Sequence, residues 1–112
     1  PDRLSSSARA ALDDSGNAML LSDASTLEIT LKWTAGKLAL PEPPRLWLEA
    51  QTLTWSIEQV DLRREHMYRA SELPGHHRDP FDRLLIATAL TSGATIVTPD
   101  TAIHAYPVSW TW

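Results

Sequence analysis

Asp79-Pro80-Phe81-Asp82-Arg83-Leu84-Leu85-Ile86-Ala87 leads through Thr88-Ala89-Leu90-Thr91-Ser92 to Gly93, and Ala94-Thr95-Ile96-Val97-Thr98 follows. An aspartate before proline is a helix N-cap with proline at the first helical position, where its missing N–H costs nothing. The spacing predicts a helix over residues 81–92, closed by the glycine, and then a short buried strand over 94–98. Upstream, Leu62, Glu65, His66, Arg69 and Ala70 lie in a predicted helix over 61–73 that Pro74-Gly75 ends. Leu40-Pro41-Glu42-Pro43-Pro44 cannot continue a helix and opens another over 45–53. Further back, Leu27, Leu31 and Ala35 recur at helical spacing between Ser25 and Gly36, and Ala18-Met19-Leu20-Leu21-Ser22 is a brief apolar strand. Ser5-Ser6-Ser7 caps a first helix over 8–12, stopped by Gly16-Asn17, while 55–60 and 108–112 read as further short strands. Helices alternating with short buried strands predict an α/β layer fold with a parallel sheet.

The chain is 112 residues long, 43% hydrophobic and 21% charged, which suits one globular domain over 1–112. Ten basic against fourteen acidic side chains leave a net charge of -4, so no broad attraction to nucleic acid exists and any such contact must be local. The absence of cysteine excludes disulfides, thiolate metal sites and a cysteine nucleophile. No apolar run approaches the roughly 20 residues of a membrane span, and Pro1-Asp2-Arg3-Leu4 carries no signal-peptide pattern, so a cytoplasmic protein is expected.

Four acids fall at predicted strand ends or helix starts: Glu28, Asp79, Asp82 and Asp100. Such positions line the ligand crevice of open parallel sheets. Each also has a structural explanation. Ser25 and Glu28 fit a capping box, Asp79 an N-cap, Asp82 a favourable charge in a first turn, and Asp100, after Thr98-Pro99, a turn. Glu28 and Lys32 make an ordinary i,i+4 pair, Lys32 or Arg83 would serve as a phosphate contact, and His76-His77 read as a solvated loop. Trp33, Trp47, Trp55, Trp110 and Trp112 show no stacking pattern and read as core or interface anchors.

Two longer segments carry a resemblance. Residues 22–32, Ser-Asp-Ala-Ser-Thr-Leu-Glu-Ile-Thr-Leu-Lys, with Gly36-Lys37-Leu38, and the block from Leu73-Pro74 through His77-Arg78-Asp79-Pro80-Phe81-Asp82-Arg83 to Ala87, resemble the PIN-domain ribonucleases of the VapC toxin type. Ile96-Val97-Thr98-Pro99-Asp100 resembles that family's strand ending in threonine, one residue and aspartate. The resemblance implies a three-layer α/β/α sandwich around a central parallel sheet. It also implies an endoribonuclease of a type II toxin-antitoxin pair, dependent on Mg2+ or Mn2+, that acts on RNA, is restrained by a VapB-like antitoxin and forms a homodimer. Glu28, Asp82 and Asp100 would then be catalytic acids and metal ligands that approach one another at the strand carboxyl ends, with Asp79 assisting or only capping. Hard divalent cations favour such oxygen donors.

The family opens on a central apolar strand ending in aspartate, and no segment of this sequence corresponds to it. The expectation is therefore a fold lacking its first strand at the amino end, with the gene product extending further upstream. The alternative expectation is a non-catalytic PIN remnant, or an interaction module, that binds an antitoxin-like partner.

Overall fold

The computed structural model describes residues 5–112, so the reading of Pro1-Asp2-Arg3-Leu4 lies outside the described residues. The chain divides into two compact units, residues 18–61 and residues 1–17 with 62–112.

In the 18–61 unit, strand β1 (Leu20–Ser22) leads into helix α2 (Asp23–Thr34), then helix α3 (Pro44–Trp55) and strand β2 (Glu58–Val60). The strands pair in parallel, with Leu20 opposite Glu58, Leu21 opposite Gln59 and Ser22 opposite Val60. The helix pair supplies the long crossover that a parallel connection requires. Ser22 ends the strand and caps the helix, its hydroxyl accepting from the Ala24 N–H at 3.1 Å. The predicted Ser25–Glu28 capping box is thus displaced: Ser25 lies inside α2, because a serine three residues earlier already takes the free amide of the first turn. Just past α2, Gly36 turns the chain at φ +74°, a conformation that side chains with a Cβ resist. The helix predicted over 45–53 begins on Pro44 and runs on through Trp55, and the left-handed Ser56 turns the chain into β2. The strand expected over 55–60 shortens accordingly.

Little of this unit is buried. Ala24 and Ser22 are enclosed, whereas Leu27, Leu31, Leu46 and Leu53 are exposed. Of the five tryptophans read as core or interface anchors, the core role fails for three. Trp33, Trp55 and Trp110 are 39%, 55% and 44% exposed, so none is a core anchor within its own unit.

The second unit holds helix α1 (Ser6–Asp13), helix α4 (Arg64–Glu72), helix α5 (Pro80–Ser92), strand β3 (Ile96–Val97), the single-turn helix α6 (Thr101–His104) and strand β4 (Trp110–Thr111). Ser5 caps α1 through the Ala8 N–H at 3.0 Å. α5 is the axis of the unit: Ile86 is fully buried and joins Ala89, Ile96, Ile103, Tyr106 and Val108 in one apolar cluster, against which Leu73, Leu85 and Leu90 pack. The left-handed Gly93 closes α5, its N–H donating to the Ala89 carbonyl. β3 and β4 pair in parallel, Ile96 with Trp110 and Val97 with Thr111. The turn expected at Asp100 is the N-cap of α6, which the sequence reading did not include. No helix among the described residues is long and apolar enough to cross a membrane.

Candidate active site

The amino end of α5 is built by three consecutive local devices. Asp79 Oδ1 accepts from the N–H groups of Phe81 at 2.8 Å and Asp82 at 3.3 Å, and Pro80 occupies the first turn, where no N–H is needed. This places Asp82 in the first turn, where the helix dipole favours its charge. Two residues before the cap, the ring of His77 folds back so that Nδ1 accepts the Asp79 N–H at 3.1 Å.

With Nδ1 acting as an acceptor, the ring proton sits on Nε2. That nitrogen lies 3.1 Å from Asp82 Oδ2 and 2.9 Å from Asp100 Oδ2. Asp100 reaches the same point from the exit of β3. Its own N–H donates to Thr98 Oγ1 at 3.1 Å, its Oδ1 accepts from the Ala102 N–H at 2.9 Å, and only Oδ2 faces the histidine. The hydrogen bond from His77 holds the Asp100 carboxyl below the ordinary carboxylate range. Burial opposes this shift, and the Ala102 amide, the electrostatic pull of the His77 ring and the Ile103 amide reinforce it.

The loop that carries His77 is fastened by Arg83 and Tyr106. Arg83 Nη2 donates to the carbonyls of Ala70 at 2.7 Å and Leu73 at 2.8 Å, and Nη1 to those of Pro74 and His77, each at 3.0 Å. Tyr106 is 3% exposed; its hydroxyl accepts the His77 N–H at 2.9 Å and donates to the Pro74 carbonyl. The phosphate role considered for Arg83 is therefore replaced by a structural one, since its guanidinium is engaged with main-chain oxygens where α4 ends. On the far side of Asp100, His104 Nε2 meets the Thr98 carbonyl at 2.9 Å, and its ring stacks on Trp110 with centroids 3.4 Å apart.

Of the four acids singled out from sequence, Asp82 and Asp100 converge on one imidazole nitrogen, and Asp79 beside them serves as the helix cap. Glu28 lies on α2 in the other unit, 2.8 Å from Lys32. The solvated-loop reading of His77 needs correction: its side chain is 15% exposed and central to the cluster. The signal for it was local, a histidine two residues ahead of an Asp-Pro cap, which is within reach of the i+2 amide.

A ligand atom from each of His77, Asp82 and Asp100 lies within 4.8 Å of the others. Two carboxylate oxygens within that distance of each other suit a hard divalent cation. The capping role of Asp79 is testable by itself: Asp79→Ala is expected to cost about 1 kcal/mol, read as a lowered melting temperature.

Comparison with known protein families gives a match to the PIN domain over residues 1–108. No curated protein and no solved structure matches the chain.

Proposed function

Because this chain belongs to the PIN-domain family, whose members are in general nucleases that use divalent metals on RNA or DNA, we propose that it is an endoribonuclease dependent on Mg2+ or Mn2+. The observation that supports this most directly is the convergence of Asp82 and Asp100, from separate elements, on one point beside the α5 N-terminus. Asp82 and Asp100 would hold the cation, with Glu28 as a further acid ligand. Bound there, a divalent cation would supply a more acidic attacking water and offset charge developing on the phosphodiester. The chain's own residues prepare the site: Asp79 and Pro80 fix the helix start, and the Ala102 amide orients the Asp100 carboxylate.

The finer reading follows the resemblance. The protein is the toxin of a type II toxin-antitoxin pair, acts in the cytoplasm as a homodimer of three-layer α/β/α domains, and is restrained by a VapB-like antitoxin. An apolar strand ending in aspartate completes the central sheet and the acid cluster. Among the described residues each parallel sheet has two strands, and this brevity supports the addition, since parallel strands are seldom stable in so small a sheet.

The test uses the purified 112-residue chain, with and without an amino-terminal extension carrying such a strand, on RNA and on single-stranded DNA in Mg2+, Mn2+ or EDTA. Metal-dependent RNA cleavage that is weak in the chain alone and strong in the extended form is expected. Cleavage indifferent to EDTA, or none in any metal with the extended form, would overturn the proposal.

A further inference from the structure

His77 is the one member of the cluster that is not an acid, and its hydrogen bonds constrain what it does. For Nε2 to bind a cation it must present a lone pair, which moves the ring proton to Nδ1. Nδ1, however, faces the Asp79 N–H at 3.1 Å, so a proton there would set two donors against each other. Turning the ring over removes that conflict only by breaking the same bond and pulling Nε2 away from both carboxylates. The main chain offers no slack for a compensating shift, since the His77 N–H is bonded to Tyr106 and its carbonyl to Arg83. The hydrogen bonds thus hold the imidazole as a donor towards Asp82 and Asp100.

We propose that His77 is a positioning residue that substitutes for the cation: its Nε2–H links the Asp82 and Asp100 carboxylates when no metal is bound and competes with metal for them. This rests on the reading of Asp82 and Asp100 as metal-holding acids. Two carboxylates this close repel each other unless something positive lies between them. A shared N–H donor eases that repulsion, keeps both side chains oriented and stabilises the metal-free protein. By linkage, whatever stabilises the metal-free state more than the bound state weakens binding by the same factor. The site is consequently kept assembled at the expense of affinity, which favours rapid exchange of the cation.

The experiment is titration of the whole chain with Mn2+ alone, for wild type, His77→Ala, His77→Gln, Asp82→Asn and Asp100→Asn, with melting temperatures taken in EDTA. His77→Ala is expected to melt lower in EDTA and to bind Mn2+ about three- to tenfold more tightly, the size of a partly exposed hydrogen bond to a charged group. His77→Gln, whose amide N–H reaches to about the same place, should return affinity and melting temperature towards wild type. In 15N spectra, Nε2 should carry the proton both without metal and with diamagnetic Mg2+. A tenfold loss of affinity in His77→Ala, or a deprotonated Nε2 in Mg2+, would make the imidazole a ligand and overturn the proposal; unchanged affinity in His77→Ala would overturn it equally. If instead Asp82→Asn and Asp100→Asn bind Mn2+ like wild type, it is the metal-site reading that fails, and the role of His77 with it.

Discussion

Arg83→Ala is expected to be among the most destabilising single substitutions in this chain, lowering stability by about 3 kcal/mol and the melting temperature by roughly 10 °C. The mechanism is loss of donors rather than loss of a charge pair. The last carbonyls of a helix have no intrahelical partner, and here those of Ala70 and Leu73 are met by one guanidinium that also reaches Pro74 and His77. Removing it leaves these acceptors to whatever water can enter beside a packed helix pair. Arg83→Lys should recover only a small part, since an ammonium is a compact donor and cannot span four oxygens fixed by a planar fork. Thermal melts of the three proteins test this, and a loss under about 1 kcal/mol for Arg83→Ala would show that water replaces the side chain.

Asp82→Asn and Asp100→Asn should each reduce metal-dependent cleavage by about 100-fold or more while leaving the fold intact. Asparagine caps helices about as well as aspartate, so Asp100→Asn keeps the bond to the Ala102 amide and sacrifices mainly charge. The Asp79→Ala variant provides the contrast: stability falls and cleavage persists, because its carboxylate serves the helix. The depressed Asp100 pKa adds a pH signature. Its folded value lies below the ordinary 3.8, so its stabilisation is present above that unfolded value and is lost as pH falls through the lower folded one. Acid melts of wild type and Asp100→Asn should therefore differ at neutral pH and merge in strong acid, the gap being small because the side chain is 37% exposed.

The elements carried by strong local signals were legible from sequence. Asp79-Pro80 and Gly93 marked the limits of α5 to within a residue, and the apolar run at Ile96-Val97 marked β3. Ser25 misled because Ser22 offers the same hydroxyl one turn earlier, and spacing alone does not decide between two competent caps. α6 escaped notice because four residues carry no periodicity. Asp82 and Asp100 were found through motif order. His77 and Tyr106 were not: spacing from the Asp79 cap gives only the local bond of His77, whereas its contact with Asp100 and that with Tyr106 span 23 and 29 residues, which no window of sequence displays.

The clasp around residues 70–77 also governs how the protein tolerates changes in chain length. His77 is suspended between Tyr106 and Arg83 behind it and the Asp79 amide ahead, so the segment from Leu73 to Asp79 has no slack. One inserted residue adds up to about 3.8 Å of path, more than the whole reach of a hydrogen bond. An insertion there would carry the imidazole out of range of both carboxylates even though no acid was altered. Although it lies at the surface and contains Pro74 and Gly75, this loop is a measured spacer, and the gap between Leu73 and Asp79 is as much a part of the site as the aspartates.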